Sequence, residues 1–243
     1  MSEGLAGTVV WIVGGGTGIG AGVAASLAAD GATVVVSGRR REQLDDAIAG
    51  LPHAASVVVD VSDPRSVVTA HARIVAEHGE VGMLVYSAGT NVVNRYWADT
   101  TPDDFAHVLD VNLTGAMRAI HAVLPAMRAA QNGLVVVVSS WAGWRFAPRV
   151  GAGYSTSKTA LGALVETVNA QERLHGIRAT HLCPGEVKTE ILNTRPVVPT
   201  DDEQALMLTP ADVGSAVSYI AGLPSRVCIN ELVITPTSNT SYA

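Results

Sequence analysis

Val13-Gly14-Gly15-Gly16-Thr17-Gly18-Ile19-Gly20 is the stretch on which the fold turns. It follows the apolar run Val9–Val13 and opens a run of small residues, Ala21–Ala29. A strand that passes through glycines into a helix is the first half of a βαβ unit. Glycine permits the positive φ that such a turn needs. The backbone there can touch a pyrophosphate, which rests on the positive end of the helix. Taken alone, the pattern marks only a tight turn; its place after the first strand gives it weight.

Working outward, Thr33–Ser37, Ser56–Val59, Met83–Tyr86, Leu134–Ser139, Arg178–Leu182 and Glu231–Thr235 read as further strands. Most are continuous apolar runs, as strands covered on both faces are. Asp63-Pro64, Thr101-Pro102 and Thr209-Pro210 read as helix starts, the last two with Asp104 and Asp212 in the capping-box region. The alternation predicts an α/β protein: a doubly wound, Rossmann-type parallel sheet of about seven strands with helices on both faces. No linker or internal repeat divides the chain, so residues 1–243 read as a single domain. The irregular stretch 186–202, with Pro196 and Pro199, reads as a substrate lid.

Hydrophobic residues make up 48% of the 243 residues and charged ones 16%, a balance that suits a covered sheet and a subunit interface. A formal charge of −6 argues against a nucleic-acid partner, because no large basic surface is available for phosphates. Met1-Ser2-Glu3-Gly4 has no basic start followed by an apolar stretch, and the apolar runs are too short to span a bilayer. A cytoplasmic protein without membrane contact is expected. Cys183 and Cys228 both sit in apolar, strand-like runs. Reduced core thiols are the favoured reading, with a disulfide between them left open.

After the second strand the chain reads Ser37-Gly38-Arg39-Arg40-Arg41. A site for NAD(H) wants a carboxylate there for the ribose 2′-hydroxyl. Arginines stand there instead, and a guanidinium can grip a 2′-phosphate bidentately. A solvated charge cluster is the plainer reading, but cations at a helix start ask for an anion. NADP(H) is therefore the preferred cofactor and NAD(H) the alternative, with Arg39 the first candidate and Arg40 the second.

Tyr154-Ser155-Thr156-Ser157-Lys158 opens a small-residue helix reaching about Leu174. A tyrosine and a lysine four apart share one helix face. A free phenol has a pKa of about 10. A neighbouring ammonium would lower it, making the pair a usable general acid/base.

Taken in order, these motifs resemble the short-chain dehydrogenase/reductase family across almost the whole chain. The ordered set comprises the Gly14…Gly18-Ile19-Gly20 turn, Asp60-Val61, Ser87-Ala88-Gly89, Asn112 in Val111-Asn112-Leu113, Ser139-Ser140, Tyr154/Lys158, and Pro184-Gly185-Glu186-Val187-Lys188-Thr189 after the sixth strand. The resemblance implies that Tyr154 exchanges a proton with the substrate oxygen. Lys158 would bind the nicotinamide ribose and tune the tyrosine, Ser140 would hydrogen-bond the substrate oxygen, and Asn112 would organise a proton path behind the lysine. It further implies that Gly14, Gly16, Thr17, Gly18, Ile19 and Gly20 form the phosphate turn and that Asp60 and Val61 contact adenine. Ala88 and Gly89 would line the cleft. Pro184, Gly185, Val187 and Thr189 would face the nicotinamide, the last two fixing its carboxamide. The implied activity is NADP(H)-dependent interconversion of a secondary alcohol, or hydroxy acid, and its carbonyl compound. A silent cofactor-binding regulator and epimerase or dehydratase chemistry stand as alternatives.

Val13 and Ser87 depart from the family's usual threonine and asparagine, which puts local rigidity in doubt more than catalysis. Ser140 lies 14 residues before Tyr154, one more than is usual. Trp141, Trp144 and Phe146 read equally as a substrate wall or as packing, as do Tyr96 and Trp97. Arg145, Arg149 and Arg195 could meet a substrate carboxylate, though surface arginines are commoner. The histidines show no ligand-like spacing, His107, His121 and His181 read as surface or packing residues, and no metal is expected. The small-residue helices Gly115–Ala130 and Tyr154–Ala170 suggest a homo-oligomer, a tetramer by family habit. The ending Val227–Thr237 resembles the subgroup acting on 3-hydroxy acids.

Overall fold

A computed structural model describes residues 4–239. Of the stretch Met1–Gly4, read above as carrying no secretion signal, only Gly4 is within the described residues. In chain order the elements are β1 (Val9–Val13), α1 (Gly18–Ala29), β2 (Thr33–Gly38), α2 (Arg41–Ile48), β3 (Ala54–Val58), α3 (Pro64–His78), β4 (Val81–Tyr86), α4 (Pro102–Leu109), α5 (Gly115–Ala130), β5 (Gly133–Val138), α6 (Trp141–Trp144), α7 (Ala152–Glu172), β6 (Ile177–Pro184), α8 (Asp201–Ala205), α9 (Pro210–Ala221) and β7 (Glu231–Ile234).

The seven strands form one sheet in the order β3-β2-β1-β4-β5-β6-β7, every pair parallel. The chain winds one way from β1 to β3 and the other way from β4 to β7. The winding therefore reverses between β1 and β4, where a crevice opens beyond the strands' carboxyl ends. Alternate residues of one strand serve two cores, which explains the unbroken apolar runs. Trp11 and Val13 face Ile74, Val123 and Leu161 on one side, while Val10 and Ile12 face Leu27, Leu44 and Val217 on the other.

All seven expected strands are present, with shifted edges. Val59, Ser139 and Thr235 fall just outside their strands, and β6 runs on to Pro184, which pairs with Ile234. Pro184 thus ends the sixth strand rather than following it; proline is tolerated at that terminal position. The first helix begins at Gly18, earlier than the expected Ala21, because the glycine turn closes directly into it. The proline-marked helix starts form as read: Asp63 accepts from Arg65 N, and Thr101/Asp104 and Thr209/Asp212 complete capping boxes. Cys183 is buried but Cys228 is exposed and lies before β7 in no strand; both thiols are free. Among the described residues no helix is long and apolar enough to cross a membrane.

Candidate active site

At the β1/β4 crevice lies a cavity of about 290 Å³. Its floor is the glycine turn. Gly14 (φ 85°) shows why no side chain is tolerated there, since a Cβ would lie 2.4 Å from the Ala88 nitrogen. Gly14 N donates to the Ser37 carbonyl at 2.7 Å, and Ser87 N to the Val13 carbonyl at 2.8 Å, stitching the three strand ends together beneath the opening. Gly14, Gly16, Thr17, Gly18 and Ile19 line the cavity; Gly20 does not. Gly20 packs instead, because a Cβ there would lie 2.1 Å from the Gly14 oxygen. The first turn of α1 holds no acid, Thr17 makes no side-chain cap, and Gly18 and Ile19 at its start line the cavity, the kind of helix start that suits an anion.

The three arginines take different roles. Arg41 turns to its own neighbours, pairing with Asp45 at 3.7 Å and donating to Ser56 Oγ at 3.0 Å. That is the solvated role. Arg39 and Arg40 line the cavity, Arg40 reaching Glu190 at 3.5 Å. Asp60 and Val61 form the adjoining wall. Ser62 donates twice to Asp60, at 2.6 and 2.9 Å, and with the weaker pull of Arg39 these bonds hold its carboxyl below its ordinary range. Ala88 and Gly89 close the inner end, where a Cβ on Gly89 would come within 3.4 Å of Lys158 Nζ. An uncapped helix start, glycines where side chains would intrude and arginines at one end fit a dinucleotide with an extra phosphate.

Tyr154 and Lys158 project from the first turns of α7 into this inner end. Lys158 is buried; Nζ donates to the Val138 carbonyl at 3.0 Å and lies 5.7 Å from the Tyr154 ring centre. Burial pushes its pKa down to about 8. The expectation that Lys158 lowers the tyrosine pKa needs correcting. Burial holds the Tyr154 phenol above its ordinary range, and the opposing pulls come from a Ser140 hydrogen bond, then Arg195 and Arg95. The ammonium sits beside the ring, with the Val138 carbonyl as its hydrogen-bond partner.

Ser139 and Ser140 separate cleanly. Ser139 donates to the Lys158 carbonyl at 2.9 Å and is buried. Ser140 caps α6, accepting from Ala142 N at 3.2 Å, and remains beside the phenol. The stretch between Ser140 and Tyr154 holds α6 and a short turn at Pro148–Val150. Asn112 lines neither cavity. It sits in a π-helical turn, Asp110–Thr114, buried, with Nδ2 donating to the Thr90 carbonyl and to Ser157 Oγ at 3.0 Å each and Oδ1 accepting from Thr90 N at 2.7 Å. The Tyr86 hydroxyl holds that turn through the Val111 carbonyl. Nothing in the sequence pattern announces a π turn, which arises where α4 runs into α5 with one residue too many.

A second cavity, of about 170 Å³, adjoins the first, and Ile19, Ser139, Tyr154, Thr189 and Ile191 line both. Ser140, Pro184, Gly185 and Val187 line only the second. The aromatic trio splits: Trp141 is buried and lines this cavity, whereas Trp144 lies edge-on to it under Arg145, and Phe146 is 83% exposed. Tyr96 and Trp97 are exposed and line neither cavity. Arg149 is exposed too, but Arg195 lines the second cavity. The stretch 186–202 is less irregular than expected. Val187 bridges to Leu208, Glu190–Thr194 forms a 3₁₀ turn with Leu192 buried, and Thr200 caps α8.

Several lining residues escaped the sequence reading. His107, read as surface or packing, lines the first cavity, as do Gln43, Ser62 and Glu190. Asn91 and Arg95 line the second; they lie in the irregular connection after β4, where no periodicity points anywhere. The histidines also hold a surprise: His181, Cys183 and Glu231 bring ligand-type atoms within 4.8 Å of one another. Their own bonds occupy them, Glu231 at 3.2 Å from His181 Nδ1 and Cys183 Sγ at 3.4 Å, with burial pushing the thiol up to about 12.

A parallel sheet with a glycine-floored crevice at its reversal point, closed by a tyrosine–lysine helix, defines a dinucleotide-binding α/β protein. A family model described as short chain dehydrogenase matches residues 8–197, and the chain belongs to that family of oxidoreductases. It is 30% identical over 233 residues to Oxidoreductase UcpA of Escherichia coli (strain K12), covering 89% of this chain and 88% of that one. It is also 32% identical over 245 residues to Glycine betaine reductase ATRR of Emericella nidulans, covering 96% of this chain but only 19% of that longer protein. Among solved structures, the closed form of a serine dehydrogenase complexed with NADP+ superposes with a TM-score of 0.87 at 26% identity, covering 96% of each chain.

Proposed function

We propose that this chain is an NADP(H)-preferring oxidoreductase that interconverts a small secondary alcohol, or hydroxy acid, and its carbonyl compound. One observation carries the reading: Tyr154 lines both cavities, so a single phenol stands where the nucleotide crevice meets the substrate chamber. When bound, the nicotinamide supplies or accepts the hydride.

The chain's own residues do the rest. The α1 N-terminus with Gly14, Gly16, Thr17, Gly18 and Ile19 seats the pyrophosphate, Arg39 and Arg40 the 2′-phosphate, and Asp60 and Val61 the adenine. Ala88 and Gly89 leave room in front of Lys158. Pro184, Gly185, Val187 and Thr189 shape the nicotinamide end. Ser140 donates to the substrate oxygen and Tyr154 gives it a proton on reduction, or takes one on oxidation. A phenol with an ordinary pKa of about 10 is protonated at neutral pH, as the reductive direction requires; burial tightens its hold on that proton and the Ser140 hydrogen bond opposes this. Lys158 holds the ribose, and Asn112 fixes the Thr90 and Ser157 positions beside it.

Support for NADP(H) over NAD(H) comes from Arg39 and Arg40 at the cavity edge and from the NADP+ complex among the similar structures. The single domain, the 186–202 segment as lid, a cytoplasmic setting and a homotetramer through the small-residue helices complete the proposal. Light scattering that returned a monomer mass would remove the last part.

The assay is NADPH consumption, with NADH beside it, against small ketones, aldehydes and oxo acids. Turnover with NADPH at least about tenfold faster is expected from the charge-assisted arginine contacts. Binding of NADPH without turnover of any compound would favour the silent regulator.

A further inference from the structure

We infer that His181, Cys183 and Glu231 form a binding site for a zinc-type metal ion, set at the sheet edge and lining neither cavity. The inference goes beyond the oxidoreductase reading and does not depend on it. His181 and Cys183 stand two apart on β6, so their side chains leave the same face of the sheet. Glu231 is the register partner of His181 on β7 and projects on that face too. Spacing along the sequence shows no such set because the third member comes from the neighbouring strand, 50 residues on.

The donor atoms are already drawn together. All lie within 4.8 Å of one another, with Glu231 Oε2 at 3.2 Å and Cys183 Sγ at 3.4 Å from His181 Nδ1. Tetrahedral zinc, with bonds of about 2.0–2.3 Å, spaces such atoms roughly 3.3–3.6 Å apart. Sγ is also 3.6 Å from Nε2, nearly equidistant from the two ring nitrogens. It therefore faces the ring, and a turn about the Cβ–Cγ bond brings a nitrogen between sulfur and carboxylate. Gly162 on α7 gives the ring that room, since a Cβ there would come within 3.3 Å of Cε1. Without a metal the groups satisfy one another, yet two partners converge on Nδ1, which has one proton or one lone pair to offer.

The residue types select the ion. A thiolate and an imidazole favour zinc or cobalt over magnesium or calcium, which take oxygen ligands. One thiolate, one carboxylate and a neutral imidazole around a divalent ion sum to zero charge, so the filled site buries no unpaired charge. His181 and Cys183 are buried while Glu231 is exposed, which gives the ion an entry and a water the fourth position. Burial pushes the thiol up to about 12, so it is protonated when the ion arrives and gives its proton to solvent. The nearby Lys158 ammonium favours the thiolate that remains. The filled site cross-links β6 to β7, a four-residue edge strand none of whose residues is fully buried. It also anchors the strand end from which Pro184 and Gly185 enter the wall of the second cavity.

The test uses the full chain, stripped with a chelator, and Co²⁺ or Zn²⁺ alone as the probe. Co²⁺ should bind at about one ion per chain, with a thiolate charge-transfer band and the visible bands of a tetrahedral ion, and Zn²⁺ should displace it. Zn²⁺ at about a hundredfold excess over Kd should raise Tm by roughly 5 °C. Calorimetry in buffers of different ionisation heat should count about one proton released per ion. Cys183→Ser should abolish the charge-transfer band. Glu231→Gln, an exposed change, should weaken both ions at least about tenfold, and Cys228→Ser should alter neither band nor affinity. Circular dichroism reports whether each variant folds, and Glu231→Gln decides if Cys183→Ser does not. No band in the parent, a band that Cys183→Ser keeps or Cys228→Ser removes, or an affinity that Glu231→Gln leaves unchanged would overturn the site. None of these outcomes touches the oxidoreductase reading, whose own assay is NADPH consumption.

Discussion

The two cavities, proposed above as nucleotide crevice and substrate chamber, share Tyr154 but are made of different material. The crevice is drawn from strand ends and helix starts: Gly14 and Gly16 after β1, Arg39 after β2, Asp60 after β3, Ala88 after β4. Each position is dictated by where an element stops, so a backbone turn and its first side chain carry the function. The chamber is drawn mostly from connections. Asn91 and Arg95 come from the long link before α4, Trp141 from a one-turn helix, and Ile191, Leu192 and Arg195 from the stretch after β6. The lesson is that one half binds through geometry common to the fold, while the other selects through side chains free to change without disturbing the sheet.

Replacing Arg39 by Asp breaks the comparison at its crevice end and should have the largest effect of the tests that leave Tyr154 in place. The exchange removes a cation from the proposed 2′-phosphate seat and adds an anion. NADPH affinity by fluorescence titration should fall about a hundredfold, NADH affinity by far less. Equal losses would detach the arginines from cofactor choice.

A smaller effect sharpens the view of the shared boundary. Folding depresses the Lys158 pKa from its ordinary 10.5 to about 8. Below pH 8 both folded and unfolded chains carry the proton, and the folded chain bears the full cost of burying it. Between pH 8 and 10.5 the folded chain sheds it first, so this group's contribution to stability rises with pH. Cys183, pushed from 9.0 up to about 12, works in the opposite sense over the same alkaline range. The clean reading is therefore a difference. Urea-unfolding stability of the parent minus that of Lys158→Met, both free of cofactor, should climb by on the order of 2–3 kcal/mol across that window. A flat or falling difference would mean the lysine is not desolvated in the folded chain.

The same contrast explains what could be read from the sequence. Strand count, the doubly wound architecture and the glycine turn were legible because burial on both faces forces unbroken apolar runs and a tight turn forces glycine. Arg39 and Arg40 were legible because a fixed distance from that turn fixes their place. Ser140 could be preferred to Ser139 on motif order alone; in the structure Ser139 is tied to the Lys158 carbonyl. Arg95 was invisible because a loop has no period to put it on a face. Phe146 stood beside Trp141 in sequence yet points to solvent, because α6 ends between them and the chain turns extended at Arg145. The tyrosine–lysine coupling was misjudged for a related reason. Spacing places two heads on one side of a helix but says nothing of how deeply either is buried or which carbonyl the ammonium meets.

Steady-state reduction by Tyr154→Phe tests the shared phenol most directly, measured on a carbonyl compound the parent turns over, with NADPH titrated separately. Loss of the acid should lower kcat by roughly 10²–10⁴-fold while NADPH affinity stays within about threefold of the parent. A variant that reduced the same compound at the parent's rate would contradict the placement of the chemistry at the junction of the two cavities.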